Sequence, residues 1–599
     1  SGGVVELANG NYVVVSPAWN NGGVISAGAV TWGDGAAGRT GVVDPANSLV
    51  GDTANDLVGS FGVTALSNGN YVIASPLWDD LAVVDAGAAT WGDGAAGSIG
   101  VIAAGNSLAG TTPGDQVASG GVAALTNGNY VVLSPLWDDG NTFDAGAATW
   151  GDGAVGTSGA VTAANSQVGS RPNDQVGSGG AAALSNGNYV TASPSWDNGG
   201  IVDAGAATWG DGATGSSGAV SAANSLVGST AGDQIGFGGV TALANANYVV
   251  ASPLFDSAGI VDAGAATWAS GIAATATAVS SANSLVGATP NDQVAAGGVT
   301  ALTNGNYVVV SPVWINGVVD RAGAATWGDG ATGSAGAVST ANSLFGSATD
   351  DLQAALVLPL SNGDYALASP SWDNGVLLDA GAVALGDGTA GTSGALSDVN
   401  AMTGGATMEL FGGAMIVEGD TTLITGSPIE GRAVVGMLDI NADTGGLVFG
   451  RAQGQDITIA PSAVTGILNS GTDLALQASN DIFVASPVLA DNRSTSSLTL
   501  EAGRSITVAA DIRVGGTLTL IGTSTNLLVD GVARSYGLTP FTIFEVTPLG
   551  LALVAWGALY LRFIAPRRAS SSWAGGRCAR MACCSRTGGA SACPCRTCS

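Results

Sequence analysis

Aspartates that recur at fixed positions are the side chains in this sequence whose type and spacing could support chemistry. They occur after a tryptophan (Asp79, Asp80, Asp138, Asp139, Asp197, Asp373), before Ala-Gly (Asp85, Asp144, Asp203, Asp262, Asp379) and inside Gly-Asp-Gly (Asp93, Asp152, Asp211, Asp329, Asp387). Two carboxylates in different environments would form a glycosidase pair, and clustered carboxylates would bind calcium. Aspartate also stabilises tight turns by bonding its own backbone. Because catalysis needs one asymmetric site, repetition in every copy favours the turn interpretation.

The composition excludes several classes of enzyme. Histidine and lysine are absent from the 599 residues, and all 16 basic residues are arginines. The chain itself therefore has no Ser-His-Asp triad, Cys-His dyad, histidine-ligated metal or Schiff-base lysine. Up to residue 560 it contains 45 acidic residues and nine arginines, a net charge of −36 that would repel nucleic acid. We expect a protein without catalytic, cofactor-binding or metal-binding residues.

Tryptophans recur in two sets. One set lies in a β-branched or alanine-rich run (Trp32, Trp91, Trp150, Trp209, Trp268, Trp327), and the other follows Ser-Pro by two residues (Trp19, Trp78, Trp137, Trp196, Trp314, Trp372). Large rings commonly fill the space between packed sheets, so packing is the expected role of both sets. The second set adjoins loops, and a sugar-stacking surface is its alternative role. The candidate ligand-facing residues are Trp78, Asp79, Trp137, Asp138, Trp196, Asp197, Trp372 and Asp373.

The elements that would position these side chains come from an internal repeat. Ser-Pro recurs at Ser16, Ser75, Ser134, Ser193, Ser252, Ser311 and Ser369, and again in a degenerate eighth copy at Ser427, at spacings of 59 and then 58 residues. The third copy has four extended runs, residues 122–125, 130–133, 145–150 and 160–163, and Asn127-Gly128 predicts a type I′ turn. Four short strands per repeat predict an all-β protein, with residues 1–450 forming a seven- or eight-bladed β-propeller.

The repeat resembles the FG-GAP repeats of integrin-type propellers. Phe61-Gly62 and Phe237-Gly238 match the first element of that pattern, and Ala74-Ser75-Pro76 occupies the place of the second. The resemblance implies a propeller. In the family, a loop of alternating aspartates binds calcium, whereas this chain has Asn-Gly-Asn-Tyr at that place. The hairpin loops therefore give no support to a calcium site.

Residues 454–530 have a different pattern. Short alternating runs include residues 474–478, 482–486, 498–502, 506–510 and 518–522, and corresponding positions such as Ile482 and Ile506 are 24 residues apart. This period predicts a short right-handed parallel β-helix. The segment resembles the filamentous-haemagglutinin-like adhesins of two-partner secretion systems. That resemblance implies an exported Gram-negative surface filament that binds host cells, matrix or neighbouring bacteria.

The C-terminal region is different again. Residues 546–566 are almost entirely apolar, which makes 543–565 a candidate transmembrane helix, with Arg567 and Arg568 favouring a cytoplasmic C-terminus. This stretch resembles a membrane span of sodium/divalent-anion symporters. Residues 566–599 form an Arg/Cys-rich tail with six arginines, many small residues, no acids and all six cysteines of the chain. An out-of-frame tail, the end of a membrane anchor and a metal-binding tail remain open.

These observations predict a non-enzymatic surface or secreted adhesin that attaches cells to a host or bacterial surface glycan or protein. A carbohydrate-active propeller enzyme using loop carboxylates is one alternative. A membrane-anchored fragment with a symporter-like C-terminal span is another. We expect an extracellular or outer-surface location, no cofactor, and membrane contact through residues 546–566.

Overall fold

The computed structural model describes residues 2–397, 399–404, 407–408 and 410–418, followed by strand segments between residues 422 and 521. Every regular element in this described part is a β-strand. It contains no helix long and apolar enough to cross a membrane. The candidate span 543–565 and the tail 566–599 lie outside the described residues.

Each repeat contributes up to five short strands. The first two repeats contain β1 (Gly3–Glu6), β2 (Tyr12–Ser16), β3 (Ala29–Gly33), β4 (Leu49–Val50), β5 (Val63–Ala65), β6 (Tyr71–Ser75), β7 (Ala88–Gly92), β8 (Gly100–Val101) and β9 (Ser107–Ala109). The third and fourth contain β10 (Gly121–Ala124), β11 (Tyr130–Ser134), β12 (Ala147–Gly151), β13 (Gly159–Ala160), β14 (Ser166–Val168), β15 (Ala181–Ala183), β16 (Tyr189–Ser193), β17 (Ala206–Gly210), β18 (Gly218–Ala219) and β19 (Ser225–Val227).

The last three repeats continue the same order. They contain β20 (Val240–Ala242), β21 (Tyr248–Ser252), β22 (Ala265–Ala269), β23 (Thr277–Ala278), β24 (Ser284–Val286), β25 (Val299–Ala301), β26 (Tyr307–Ser311), β27 (Ala324–Gly328), β28 (Gly336–Ala337), β29 (Ser343–Phe345), β30 (Leu356–Pro359), β31 (Tyr365–Ser369), β32 (Ala382–Gly386), β33 (Gly394–Ala395) and β34 (Ala401–Thr403).

Each repeat contributes one strand to the sheet of the repeat before it. The first sheet has the order β1-β2-β3-β4-β8, so its outermost strand comes from the second repeat. β8 pairs in parallel with β4, with Leu49 opposite Gly100. Six sheets are completed in this way, and among the described residues the seventh has four strands, ending at β34. Each repeat is therefore tied to the next by backbone hydrogen bonds.

The hydrophobic core lies between consecutive sheets. Val13 and Val15 of the first sheet pack against Tyr71 and Ile73 of the second, and the same arrangement recurs along the stack. The side chains alternate between the two faces of β2 and β6, so each sheet buries one face on the preceding sheet and the other on the following one. A single sheet has no core of its own, and stability arises from stacking.

Two features of the repeat differ from the sequence-based expectation. Gly128 has a positive φ while Asn127 does not, and Gly128 N–H donates to Leu125 O, so the predicted type I′ turn is wrong. The hairpin has a three-residue loop with glycine at the left-handed position. The strand Ser166–Val168 was also not predicted, because serine and glutamine are weak strand formers.

The segments that the structure describes beyond the seventh repeat are also strands. They are β35 (Ala414–Glu418), β36 (Thr422–Ser427), β37 (Arg432–Met437), β38 (Asp473–Ala478), β39 (Asp481–Val484), β40 (Val488–Leu489), β41 (Leu498–Ala502), β42 (Ser505–Val508), β43 (Ile512–Arg513) and β44 (Leu518–Ile521). β35, β36 and β37 form an antiparallel meander that includes the degenerate Ser427 copy.

The chain divides into two compact units. The larger contains the repeats, and the smaller includes residues 478–484 and 500–509. In the smaller unit β39 and β42 pair in parallel, with Ile482 opposite Ile506. This is the 24-residue offset that the sequence predicts. Residues 457–459 (Ile-Thr-Ile), another short alternating run for which the sequence predicts a strand, lie outside the described residues.

The repeat region is thus an all-β stack in which seven sheets correspond to seven tandem repeats. The sheets do not close into a ring. The face of the first sheet that carries Tyr12 and Val14 is partly exposed, whereas Tyr71 and Ile73, at the same positions of the second sheet, are fully buried.

Candidate functional site

The tryptophans of the strand set belong to a joint between repeats. Trp32 Nε1 donates a 2.9 Å hydrogen bond to the carbonyl oxygen of Gly94, in the next repeat. Asn9 Nδ2 and Asn11 Nδ2 donate to the same oxygen, each at 2.8 Å. The equivalent three-donor joint recurs at the carbonyls of Gly153, Gly212, Gly271, Gly330 and Gly388.

The joint explains two sequence features. A Cβ on Gly94 would lie 1.7 Å from the carbonyl oxygen of Gly69, and one on Gly92 would lie 2.1 Å from the Tyr71 ring. The two glycines of Gly-Asp-Gly therefore allow the Gly69 backbone and the Tyr71 ring to pack closely against this segment, in addition to allowing the chain to turn. The Asn-Gly-Asn side chains are occupied by protein partners, so these hairpins have no free oxygen set for calcium.

Apart from Trp19, which is partly exposed, the tryptophans of the loop set lie in the core. Trp78, Trp137, Trp196 and Trp372 expose only 2–4 % of their surface, and Phe255 takes the same place in the fifth repeat. Trp137 packs with Tyr130 and Val132 in the layer between two sheets. These four rings are not accessible to a ligand, because each is packed against the core residues of the preceding sheet. For the tryptophans, packing is the observed role and the ligand-facing prediction is wrong.

The aspartates that follow these tryptophans close a loop. Asp79 Oδ1 accepts a 2.7 Å hydrogen bond from the backbone N–H of Asp85, which has φ +50°. Asp138, Asp197 and Asp373 accept the equivalent bonds from Asp144, Asp203 and Asp379. Each carboxylate is half-buried and is directed toward its own loop. The structure thus places an aspartate that follows a tryptophan and one that precedes Ala-Gly at the two ends of one seven-residue loop.

The aspartates inside Gly-Asp-Gly cap the turn that this tripeptide forms. Asp34 Oδ1 accepts hydrogen bonds from the N–H groups of Ala36 and Ala37, which lower the pKa of this exposed carboxyl. Asp211 is held in the same way by Ala213 and Thr214, and its pKa is lowered as well. These carboxylates stabilise turns in the manner expected from the sequence.

A buried aspartate in each of the first six repeats was missed by sequence reasoning. Asp56 is fully buried, and it accepts hydrogen bonds from the N–H groups of Asp52, Thr53 and Asp79. Equivalent residues, each also fully buried, are Asp115, Asp174, Asp233, Asp292 and Asp351. Their signal in the sequence is the recurring Asp-Gln or Asp-Leu that follows a polar stretch. This aspartate connects the loop closed by Asp79 to the preceding segment.

Burial sets the protonation behaviour of this aspartate. Desolvation raises the pKa of Asp56 to about 6, although its three backbone donors oppose the shift. Burial also raises the pKa of Asp174, Asp233 and Asp351. A raised carboxyl pKa is a common property of general acids. Here the same group recurs in six repeats and its oxygens are bonded to backbone, so the arrangement serves structure.

No group of three or more carboxylates or thiols in the described part of the chain is placed to hold a metal ion. Of the carboxylates that sequence analysis considered as metal ligands or as a glycosidase pair, those equivalent to Asp79 and those inside Gly-Asp-Gly accept hydrogen bonds from nearby backbone N–H groups. The arrangement supports the rigid display of loops.

What the loops display is a row of apolar side chains. Val84 immediately precedes Asp85, and its carbonyl accepts a hydrogen bond from Gly114 N–H, so its backbone is fixed on both sides. Its side chain is nevertheless exposed, as is that of Phe143, 65 % of whose surface is accessible. The corresponding exposed residues are Ile25, Val84, Phe143, Val202, Val261 and Leu378, which we call the loop row. Exposed apolar groups in register commonly mark a contact surface.

Linked sheets, interlocking joints and repeated loops define a tandem β-repeat protein. The family model described as "Repeat of unknown function (DUF5650)" matches residues 6–60, 65–119, 124–178, 183–237, 242–296, 301–354 and 359–413. These segments cover more than half of the chain, and the protein belongs to this family. The matched segments begin and end within the same stretch of each 59-residue period.

The C-terminal part is similar to a different group of proteins. A family model described as "Citrate transporter" matches residues 498–581. The chain is also 45 % identical over 53 residues to an uncharacterized transporter from Synechocystis sp.. That match covers 9 % of this chain and 9 % of the transporter, so the chain spans only a small part of that relative. The protein is therefore a repeat protein with a transporter-like C-terminal segment.

Proposed function

We propose that this protein is a non-enzymatic, membrane-anchored repeat protein whose sheets carry a binding surface. The observation that supports the anchor is the similarity of residues 498–581 to citrate transporters. Residues 546–561 are 16 consecutive residues without a charge, followed by Arg562 and then Arg567 and Arg568. An apolar run flanked by arginines is typical of a segment that enters a bilayer with its C-terminal side in the cytoplasm. These findings favour the membrane-anchored interpretation over a freely secreted adhesin.

The repeat region would act through many equivalent contacts. The loop row presents one fixed apolar side chain in most repeats, and repeated weak contacts combine into strong binding when the partner is also repetitive. A protein or glycan on a cell surface is the expected partner. The absence of an enzymatic role is supported by the equivalence of the repeats, since catalysis requires carboxylates in distinct environments.

Membrane attachment is tested by fractionating cells that produce the full chain. Replacing both Leu553 and Leu559 by arginine should move the protein from the membrane to the soluble fraction, because a charge at the centre of a span costs several kcal/mol, about 3 each. The matched control replaces the same two residues by isoleucine and should leave the protein in the membrane. Unchanged carbonate-resistant membrane association of the arginine variant would disprove the anchor.

We infer that the sheets are arranged as propeller blades around a common axis. The first strands of successive repeats, β1, β5, β10 and onward, lie against one another, as the innermost strands of blades do. Images of the full chain in detergent by electron microscopy would distinguish the arrangements. An arc or ring with radiating blades would support the inference, and a straight rod would contradict it.

An adhesin role is the second candidate. It is favoured by the parallel pairing of β39 with β42 at a 24-residue offset, the spacing of β-helical rungs in haemagglutinin-like stalks. An adhesin must be accessible from outside the cell. Protease added to intact cells should then remove the repeats, whereas full protection of the repeats until the cells are lysed would disprove this candidate.

A further inference from the structure

A groove of about 340 Å³ opens beside the strand that the sixth repeat contributes to the sheet before it. Three consecutive repeats line it: Leu285 from the fifth, Trp327, Ser334 and Asn342 from the sixth, and Gly391 and Thr392 from the seventh, among others. Pockets that bind small ligands begin at about 300 Å³. We call this surface the rim groove. It is separate from the loop row, because no member of the loop row lines it.

Trp327 is the aromatic side chain of the rim groove. Its Nε1 donates a 2.9 Å hydrogen bond to Gly388 O, which fixes the ring in one position. The side chain is partly exposed, whereas the tryptophans of the loop set other than Trp19 are buried. Gly391 lies against it, and a Cβ there would come within 2.9 Å of the Trp327 Cβ. A larger residue at this place would cover the ring, so glycine keeps the ring accessible.

Two hydroxyl groups lie in the wall of the groove. The Ser334 hydroxyl accepts a 3.0 Å hydrogen bond from Asp329 N–H, and the Thr392 hydroxyl accepts one of 2.8 Å from Asp387 N–H. Both side chains are partly exposed. Each hydroxyl oxygen is therefore held in place by the backbone while it faces the groove. An aromatic ring with a few fixed polar groups is the usual lining of a ligand pocket.

The same groups recur along the stack. A glycine lies against the strand-set tryptophan in four further repeats, where its Cβ would come within 2.9–3.1 Å of the tryptophan Cβ; the pairs are Trp32 with Gly97, Trp91 with Gly156, Trp150 with Gly215 and Trp268 with Gly333. The place of Ser334 is taken by hydroxyl residues in the neighbouring repeats, Ser98, Thr157, Ser216 and Thr275. Equivalent grooves are therefore expected between other neighbouring repeats.

The charge of the surroundings limits the ligand. None of the described residues that line the rim groove is charged. The chain up to residue 560 has a net charge of −36, so it repels polyanions, and the groove offers no cation to a phosphate, sulfate or carboxylate. A neutral sugar fits these conditions, because its C–H groups pack on an indole ring and its hydroxyls bond to hydroxyls of the wall. Recurring grooves suit a recurring ligand.

We propose that the rim grooves bind a neutral polysaccharide, with Trp327 and its equivalents packed against sugar rings. The hydroxyls of Ser334 and Thr392 form hydrogen bonds with the sugar hydroxyls. The proposal rests on the binding role of the repeats proposed above, and it adds a second site and the chemical class of its ligand. It depends neither on the membrane-anchoring segment nor on the loop row.

The test is affinity electrophoresis of the full chain in detergent, in native gels that contain dextran, laminarin, xyloglucan or galactomannan. At least one of these neutral polymers should retard the chain, and the anionic polymer alginate should not. The variant S158E/S217E/A335E/S393E places a bulky charge at one exposed position of the groove wall in four repeats. It should weaken binding at least about tenfold, since the loss of several weak contacts multiplies.

The matched control is A95E/A154E/A213E/A331E, with four glutamates at exposed positions of the neighbouring turns outside the groove. It should bind within about twofold of the parent chain, and its equal net charge isolates the effect of the groove. Equal retardation of the two variants would overturn the proposal, as would retardation by alginate alone or by none of the neutral polymers. Phe143→Ser should leave the retardation unchanged, so failure of the loop row and failure of the rim groove are distinguishable.

Tryptophan fluorescence provides a second measurement that needs no substitution. Acrylamide quenches accessible rings, and within the repeats these include the strand set, because the loop set other than Trp19 is buried. The polymer that retards the chain should reduce this quenching. Binding that leaves the quenching unchanged would place the polysaccharide elsewhere on the molecule and contradict the packing of sugar rings on Trp327 and its equivalents.

Discussion

Acidification should stabilise the repeat region through the buried aspartate, and Asp56→Asn should remove that contribution. The pKa of Asp56 is about 6 in the fold because its carboxyl is desolvated, whereas its ordinary value is 3.8. Since the folded-state pKa is the higher one, the folded protein binds the proton more tightly in the interval between the two values. Stability is therefore highest below the ordinary pKa and decreases as the pH rises through about 6.

The size of the effect follows from the two pKa values. A separation of about two pKa units, at 1.36 kcal/mol per unit, corresponds to about 3 kcal/mol between pH 4 and pH 7. The pKa values of Asp174, Asp233 and Asp351 are raised in the same direction, and their contributions add to that of Asp56. Asparagine in place of Asp56 carries no titrating proton, so its share of the pH dependence disappears.

The assay compares the apparent free energy of unfolding in urea for the parent chain and Asp56→Asn at pH 4 and pH 7. The variant loses hydrogen bonds from Asp52 and Thr53 at both pH values. The diagnostic quantity is therefore how the difference in unfolding free energy between the parent chain and the variant changes from pH 4 to pH 7. Asp34→Asn is the control with the opposite sign, because backbone hydrogen bonds lower the pKa of Asp34. An unchanged pH dependence in Asp56→Asn would refute the reasoning.

Three further predictions concern the joint and the loops. Gly94→Ala should destabilise the second repeat by at least about 3 kcal/mol, because its Cβ would overlap the carbonyl oxygen of Gly69, whereas Gly105→Ala, which meets open space, should be nearly neutral in thermal unfolding. Trp91→Phe keeps the ring but loses the hydrogen bond to Gly153 O, and should cost about 1 kcal/mol in the same measurement. Phe143→Ser should leave the unfolding temperature unchanged but weaken attachment of cells that display the protein. If variant and parent cells attach equally well, the loop row is not a contact surface.

The sequence predicted local structure better than it predicted exposure. The run 130–133 matches β11, since a tyrosine followed by β-branched residues and stopped by Ser-Pro has few alternatives. Ser166–Val168 was missed because its strand character comes from partners: Ser166 is fully buried and its hydroxyl bonds to that of Thr149. That contact depends on the packing of the sheet, which a local pattern does not contain.

In the candidate site, too, the local sequence pattern did not predict which side chains are buried. Packing was the expected role of Trp137, with a surface role as the alternative suggested by its loop position, and it is more deeply buried than Trp91, which lies inside a strand. Asp174 sits in Asn-Asp-Gln, a stretch that reads as an ordinary polar turn, and its burial arises because the neighbouring loop covers it. The spacing of the repeat could be read from the sequence, but which side of each element is covered depends on the next repeat.

Strand exchange also has a consequence for synthesis on the ribosome. Leu49 pairs with Gly100, so the strand that completes a sheet is translated about 50 residues after the edge it must join. At about 5–20 residues per second, each new sheet keeps an open edge for roughly 3–10 s before its partner emerges. Open edges attract other nascent chains, and neighbouring ribosomes on one message carry identical edges. A slow message or a crowded polysome should therefore favour mispairing between copies, and chaperone demand should scale with the number of repeats.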